Sequence, residues 1–359
     1  MYNLTKKLIA FILCAVQLTA VVYLYPKAAD VSDFSQLTQD KKVYKLNNLP
    51  TFRNRTDEDI AQKYAYYENI SKTYIDGEVL SYYHRLPSLE MPYSEGSITT
   101  DTARTMQGMT DFYRWLSGSP QLLEDSMPAD YLQHQAFDRN FCFDHYLSGL
   151  EKPADMADAF WEKGVECQHH VLACGYTPQG SITAYMNEGY DLETGEWTTL
   201  GPRYSLITPD ISRIDFGFCG EVSIGHITQR TVRSSGNGFY GYPAPGNMPS
   251  ELVDPKQCEW ELIMDGGQFS LADISDVVVR VTNLTTDIGY TCTVANGRID
   301  PKNTTTGSVG FCQPGDYAEE LGMYTDNYKV EISGYKDTRT GSAAKIVYTV
   351  NFFSLSDYM

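Results

Sequence analysis

Residues 201–220 read GPRYSLITPDISRIDFGFCG, and the reading of the whole chain turns on them. Gly201-Pro202 has turn chemistry. Leu206-Ile207 is a short apolar run, and Pro209 breaks the chain again. Beyond it Ile214, Phe216 and Phe218 place an apolar side chain at every second position, the pattern of a strand with one buried face. Taken by itself the stretch predicts a turn, a short buried piece and a strand.

Helical patterns lie upstream. Thr99-Thr100-Asp101 can cap a helix that runs to Leu116 and stops at Gly118 and Pro120. Met106, Met109, Phe112, Tyr113 and Leu116 recur at three- and four-residue steps and mark its buried face. A second helix is predicted from Pro128 to about Tyr146, a third from Met156 to Gly164 with Asp155 as cap, and a fourth from Ser181 to Glu188. Asp57 to Tyr74 is helix-like, with acids at its start where the helix dipole favours them.

Downstream the pattern changes to strand. Glu221–Thr231 and Arg233–Tyr242 read as a β pair around the turn-rich Ser234–Gly238. Gly241–Pro249 holds three prolines and reads as a stiff connector. From Cys258 onward come β-branched and aromatic runs at Trp260–Ile263, Val277–Val281, Tyr290–Val294, Tyr328–Ile332 and Ile346–Phe352. Strands so spaced suggest a sandwich.

Several of these stretches together resemble the CAP superfamily (cysteine-rich secretory proteins, antigen 5, pathogenesis-related proteins). Gly201–Pro209 lies without a gap over its signature Gly-His-Arg-Arg-Trp-Ile-Leu-Asn-Pro, which a Gly-Phe-Gly strand follows. Asp111–Gly118 is similar to the end of the first helix in bacterial members. Leu150–Met156 resembles their Ser-Lys-Pro-x-Gly-Met turn, and His169–Tyr176 their Asn-Ile-Ala-x-Gly stretch. Tyr242–Pro249 is similar to their Trp-Pro-Ala-x-Gly/Asn-Met-Pro run. The resemblance spans roughly residues 100–355. It implies an α+β protein: an α-β-α sandwich CAP domain over 101–245, then a β-sandwich (Ig-like) domain over 246–359. Residues 29–100 form a lead, and 1–28 a signal peptide or anchor.

The family's cleft holds two His and two Glu, and in some members this tetrad binds a divalent metal. Position by position, the second histidine falls on Pro202, which has no lone pair for a metal. The first falls on Ser148, with His145 nearly one helical turn earlier. The first acid falls near His169 or His170, and the second on Glu188. A metal site would need His145, His170 and Glu188 in a new constellation. The plainer reading makes His169-His170 polar turn residues beside a cysteine. A Ser148-His170-Glu188 triad lacks the Gly-x-Ser-x-Gly elbow that would support it. Arg203 keeps the family's arginine and reads as a structural ion pair.

Composition limits the functions. The formal charge is −18, so nucleic-acid backbones are repelled. Lys6-Lys7 precede the apolar run Leu8–Tyr25, the order of a secretory signal that is also near the length of a membrane anchor. Cys14 lies within it. The remaining seven cysteines suit an oxidising compartment, and an odd number leaves one over. Cys292 and Cys312 are the expected disulfide, closing a loop of about twenty residues worth roughly 3 kcal/mol. Sequons stand at Asn54, Asn69, Asn283 and Asn303. The expectation is a secreted or membrane-tethered binding protein without catalysis or cofactor. Its ligand would be an extracellular protein, a glycan or a lipid-like molecule. The alternative is a metal-assisted extracellular hydrolase.

Overall fold

Local signals in the sequence set most of the element boundaries. The computed structural model describes residues 42–73, 82–141, 152–164, 171–197, 201–229, 238–264, 267–300 and 307–359. The expected signal or anchor lies outside them. Among the described residues no helix is long and apolar enough to cross a membrane. Strand β1 (Lys42–Lys45) is followed by helix α1 (Asp57–Thr73), with Asp57, Glu58 and Asp59 in its first turn. A short pair, β2 (Tyr83–Arg85) and β3 (Ser97–Ile98), precedes α2 (Thr100–Ser117). α2 has the predicted ends. The Thr99 hydroxyl accepts from the Thr102 amide, and Gly118 closes the helix at φ +86°. The stripe Met106, Met109, Phe112, Tyr113 and Leu116 is buried as its spacing required.

Helix α3 (Asp130–Asp138) stops well before Tyr146. A turn takes over, and the Asn140 amide ties it by donating to the carbonyls of Ala136 and Cys219, each at 2.8 Å. α4 (Asp158–Trp161) continues into a 3-10 turn, Glu162–Gly164. Asp155 is not its cap; Asp155 accepts from the Tyr93 hydroxyl at 2.7 Å instead. Strand β4 (Val171–Cys174) leads to α5 (Pro178–Met186), capped by Thr177. Then comes α6 (Gly201–Ile207). Here the reading from sequence is corrected: the presumed turn and buried piece are one short helix. Pro202 is its second residue, where a missing N–H costs no intrahelical bond.

β5 (Ile211–Cys219) and β6 (Val222–Gln229) complete a sheet ordered β4-β6-β5, all antiparallel. β5 is buried along almost its whole length because the two faces of the sheet serve different clusters. Ile214, Phe216 and Phe218 join the main core with the α2 stripe. Cys219, Val222 and Ile224 pack with Leu132 and Phe137 of α3. α3 crosses β5 at Gly217, where a Cβ would meet the Leu132 carbonyl at 2.5 Å. Both edges of β6 are used, so it forms no pair with the residues after the turn. β7 (Phe239–Tyr242) pairs with β9 instead.

The remaining strands are β8 (Gly246–Pro249), β9 (Trp260–Met264), β10 (Phe269–Ser270), β11 (Val278–Asn283), β12 (Gly289–Cys292), β13 (Ser308–Phe311), β14 (Asn327–Ser333), β15 (Lys336–Asp337) and β16 (Ala344–Phe353). They build a sheet β1-β16-β14-β11-β12, a sheet β13-β9-β7 and the small pair β10-β15. The proline-rich connector is therefore built into the fold: β8 runs parallel along β16, and its side chains are nearly all buried. β1, from the N-terminal lead, runs parallel to an earlier part of β16. α1, from the same lead, packs on α2. Trp260 of β9 joins the sheets through Tyr328 and Phe352, with ring centroids 5.5 and 6.0 Å away. Residues from Lys41 onward are one compact unit. Its main core runs from Leu46 to Leu355. The fold is mixed, with helices and several sheets.

Candidate functional site

Two of the expected cleft residues meet where α5 and α6 come together. Glu188 follows the end of α5, and Arg203 lies in the first turn of α6. The Arg203 amide donates to Glu188 Oε1 at 2.9 Å. The Arg203 guanidinium is fully buried. It donates to the carbonyls of Glu188 and Glu259, and its Nε stands 3.8 Å from Glu261 Oε2. It also lies over the Tyr242 ring, 5.7 Å from the centroid. Arg114 of α2 steadies the far end of α6, donating to the carbonyls of Leu206 and Thr208.

Three carboxyls surround this one guanidinium. Glu261 is fully buried in β9, Glu259 is fully buried just before that strand begins, and Glu188 is part-buried beside them. Burial pushes Glu188 up to about 8, against the pull of the Arg203 amide and charge. It raises Glu259 well above the ordinary carboxylate range. It lifts Glu261 to about 7, held there by Arg203 and the Ser308 hydroxyl. Arg203 stays charged: burial opposes its charge, but the surrounding acidic groups outweigh it. Of these three acids, Glu261 is the one with a carboxyl oxygen within ion-pair distance of the guanidinium. Gly189, at φ +126°, makes room for Glu259, since a Cβ there would lie 2.2 Å from Glu259 Cγ.

This arrangement has little chemistry to offer. Its functional atoms face protein groups rather than open space. Arg203 is the structural ion pair that its position suggested. Pro202 sits beside it, half-buried and without a ligand atom. His145, Ser148, His169 and His170 lie outside the described residues, so the metal constellation and the triad each have one described member, Glu188. Among the described residues no group of three His, Cys, Asp or Glu is placed to hold a metal.

Cys292 and Cys312 are both buried and unbonded in this structure, and Cys292 Sγ lies 3.9 Å from the Cys312 carbonyl oxygen. Burial pushes the Cys312 thiol up to about 12. Of the sequons, Asn54 is exposed. Asn283 is buried, its amide donating to Asp316 and Asp326 at 2.7 and 2.8 Å while its oxygen accepts from two backbone amides. A glycan there would have to break that set. Asn303 and the side chain of Asn69 lie outside the described residues.

Glu259 and Glu261 went unrecognised in the sequence, although a signal was present. Glu261 stands within β9 and Glu259 directly before it, and their neighbours Trp260, Leu262 and Ile263 mark that stretch as core. A third acid of this kind is Asp138. It is fully buried at the end of α3 and has no hydrogen-bond partner among the described residues.

Compared with known proteins, the chain matches no family model, no curated protein and no solved structure.

Proposed function

We propose that the protein is a divergent CAP-type binding protein, exported from the cell and acting outside it without catalysis. The CAP domain would occupy residues 101–245 and be followed by an Ig-like β-sandwich. One observation carries the reading. Glu188, the described acid of the family's cleft, spends one carboxyl oxygen on the Arg203 amide and its carbonyl on the Arg203 guanidinium. The neighbouring histidine position is filled by Pro202. An acid committed to a structural contact, next to a residue with no lone pair, favours recognition over metal-assisted hydrolysis. The ligands in view are an extracellular protein, a glycan or a small apolar molecule.

Metal analysis of the purified protein tests this reading. The binding reading expects no stoichiometric divalent ion, and none on titration with zinc. An equimolar ion that is lost in His145→Ala, His170→Ala or Glu188→Gln, each still folded, would replace it with the hydrolase.

A further inference from the structure

A groove of about 480 Å³ lies between the start of α1 and the end of α2, well away from the Glu188–Arg203 contact in sequence and elements. Asn54, Arg55, Asp59, Gln62, Lys63, Tyr66, Tyr67 and Trp115 line it. The volume falls within the roughly 300–1,000 Å³ of small-molecule sites. We propose that this groove binds an acidic sugar, a uronate unit of a carbohydrate chain.

The walls are fixed by the fold. Arg55 is pinned by the carbonyls of Trp115, Leu116 and Pro245, and it braces the Trp115 ring 5.2 Å from the centroid. Tyr67 packs on Gly108 of α2, where a Cβ would come within 2.6 Å of its ring. Tyr66 stands edge-on against Tyr67 at 5.1 Å and is 61% exposed. Trp115 is half-buried. The groove therefore offers aromatic surface held in place before any ligand arrives, which lowers the entropic cost of binding.

The choice of ligand follows from what else is there. Lys63 Nζ hangs over Trp115 and Tyr67, 5.0 and 5.8 Å from their centroids. The cation position above those rings is thus already taken, which disfavours a cationic guest. An acyl chain would need an apolar, enclosed pocket, whereas five of the eight lining residues are polar or charged. A sugar ring meets every condition. Its C–H face lies on the exposed Tyr66 ring, the one lining aromatic that Lys63 does not cover, and its hydroxyls meet Asn54, Gln62 and Asp59. A carboxylate on the ring gives the Lys63 ammonium a charged partner. This inference stands on the groove alone, and a metal bound near Glu188 would leave it intact.

The test uses the full chain made in a host that adds no glycans, because Asn54 is itself a sequon. Calorimetry and tryptophan fluorescence are recorded with an oligoglucuronate and with a glucose oligomer of equal length. The uronate is expected to bind saturably and to weaken with salt. Lys63→Gln should cut its affinity roughly tenfold, the loss of a charge-assisted hydrogen bond, and leave the neutral sugar unaffected. Tyr66→Ala, at an exposed position, should weaken both sugars. Three results would each overturn the proposal: no binding of the uronate, equal affinity for the two sugars, or uronate binding unchanged in both folded variants.

Discussion

Replacing Arg203 by methionine removes one positive charge from a fully buried site that holds three carboxyls. The change also strands the carbonyls of Glu188 and Glu259, which the guanidinium serves. Breaking a buried pair by deleting one member costs about 3–5 kcal/mol, because the other charge is left uncompensated. Methionine fills similar space, so little of that loss is a cavity. Urea unfolding followed by circular dichroism and fluorescence reads the effect. Arg203→Met should lower the unfolding free energy by about 3–5 kcal/mol. Arg203→Lys should fall between, since an ammonium cannot reach two carbonyls and a carboxylate as a planar fork does. Adding Glu261→Gln to Arg203→Met should cost less than the sum of the single changes, with a coupling of about 0.5–3 kcal/mol. A loss below about 1 kcal/mol in Arg203→Met, typical of an exposed pair, would refute the assignment of this contact as the anchor between α5, α6 and β9.

Asp138 gives a pH prediction. Burial raises its folded-state pKa to about 8, so the native state keeps a proton that the unfolded chain releases near its ordinary value of 3.8. The stability it contributes is full below that ordinary value and is lost as pH rises through about 8. Asp138→Asn should flatten this part of the stability-against-pH curve, and an unchanged slope would remove Asp138 as its source. Gly217→Ala should destabilise by about 1–3 kcal/mol, the range for overpacking, because the added methyl overlaps the Leu132 backbone; wild-type stability would contradict the crossing of α3 over β5. Peptide mapping without reductant, on protein from an oxidising compartment, should recover Cys292 linked to Cys312. Reducing that bond should cost roughly 3 kcal/mol, and separate free thiols would count against the pairing.

The parts of the fold that sequence made legible are those governed by local chemistry. Thr99 and Gly118 mark the ends of α2 because a cap hydroxyl and a left-handed glycine act within one turn. The strands after Cys258 follow from β-branched runs in the same way. What stayed hidden depends on partners distant in the chain. Residues 201–207 are too short a run to declare a helix; they are helical because Arg203 is held by Glu188 and Glu259, and Leu206 by Arg114. β1 adds to β16 across almost the whole chain, and no local pattern encodes that pairing. The prolines of Gly241–Pro249 suggested a connector, yet β8 occupies part of an edge of β16. Of the candidate site, Arg203 was read as a structural ion pair because a buried guanidinium pairs with carboxylates, and its Nε stands 3.8 Å from Glu261 Oε2. Glu259 and Glu261 were not, since an acid at the start of a strand or within it is ordinarily read as solvent-facing.

The most direct measurement is a crystal structure that shows residues 142–203 together. The account predicts that Glu188 holds the Arg203 amide and that no imidazole of His145, His169 or His170 comes within about 3 Å of a point shared with the Glu188 carboxyl. Ligand bonds of roughly 2.0–2.2 Å would require such a point. Imidazoles converging there with Glu188, around a bound ion, would contradict the non-catalytic reading.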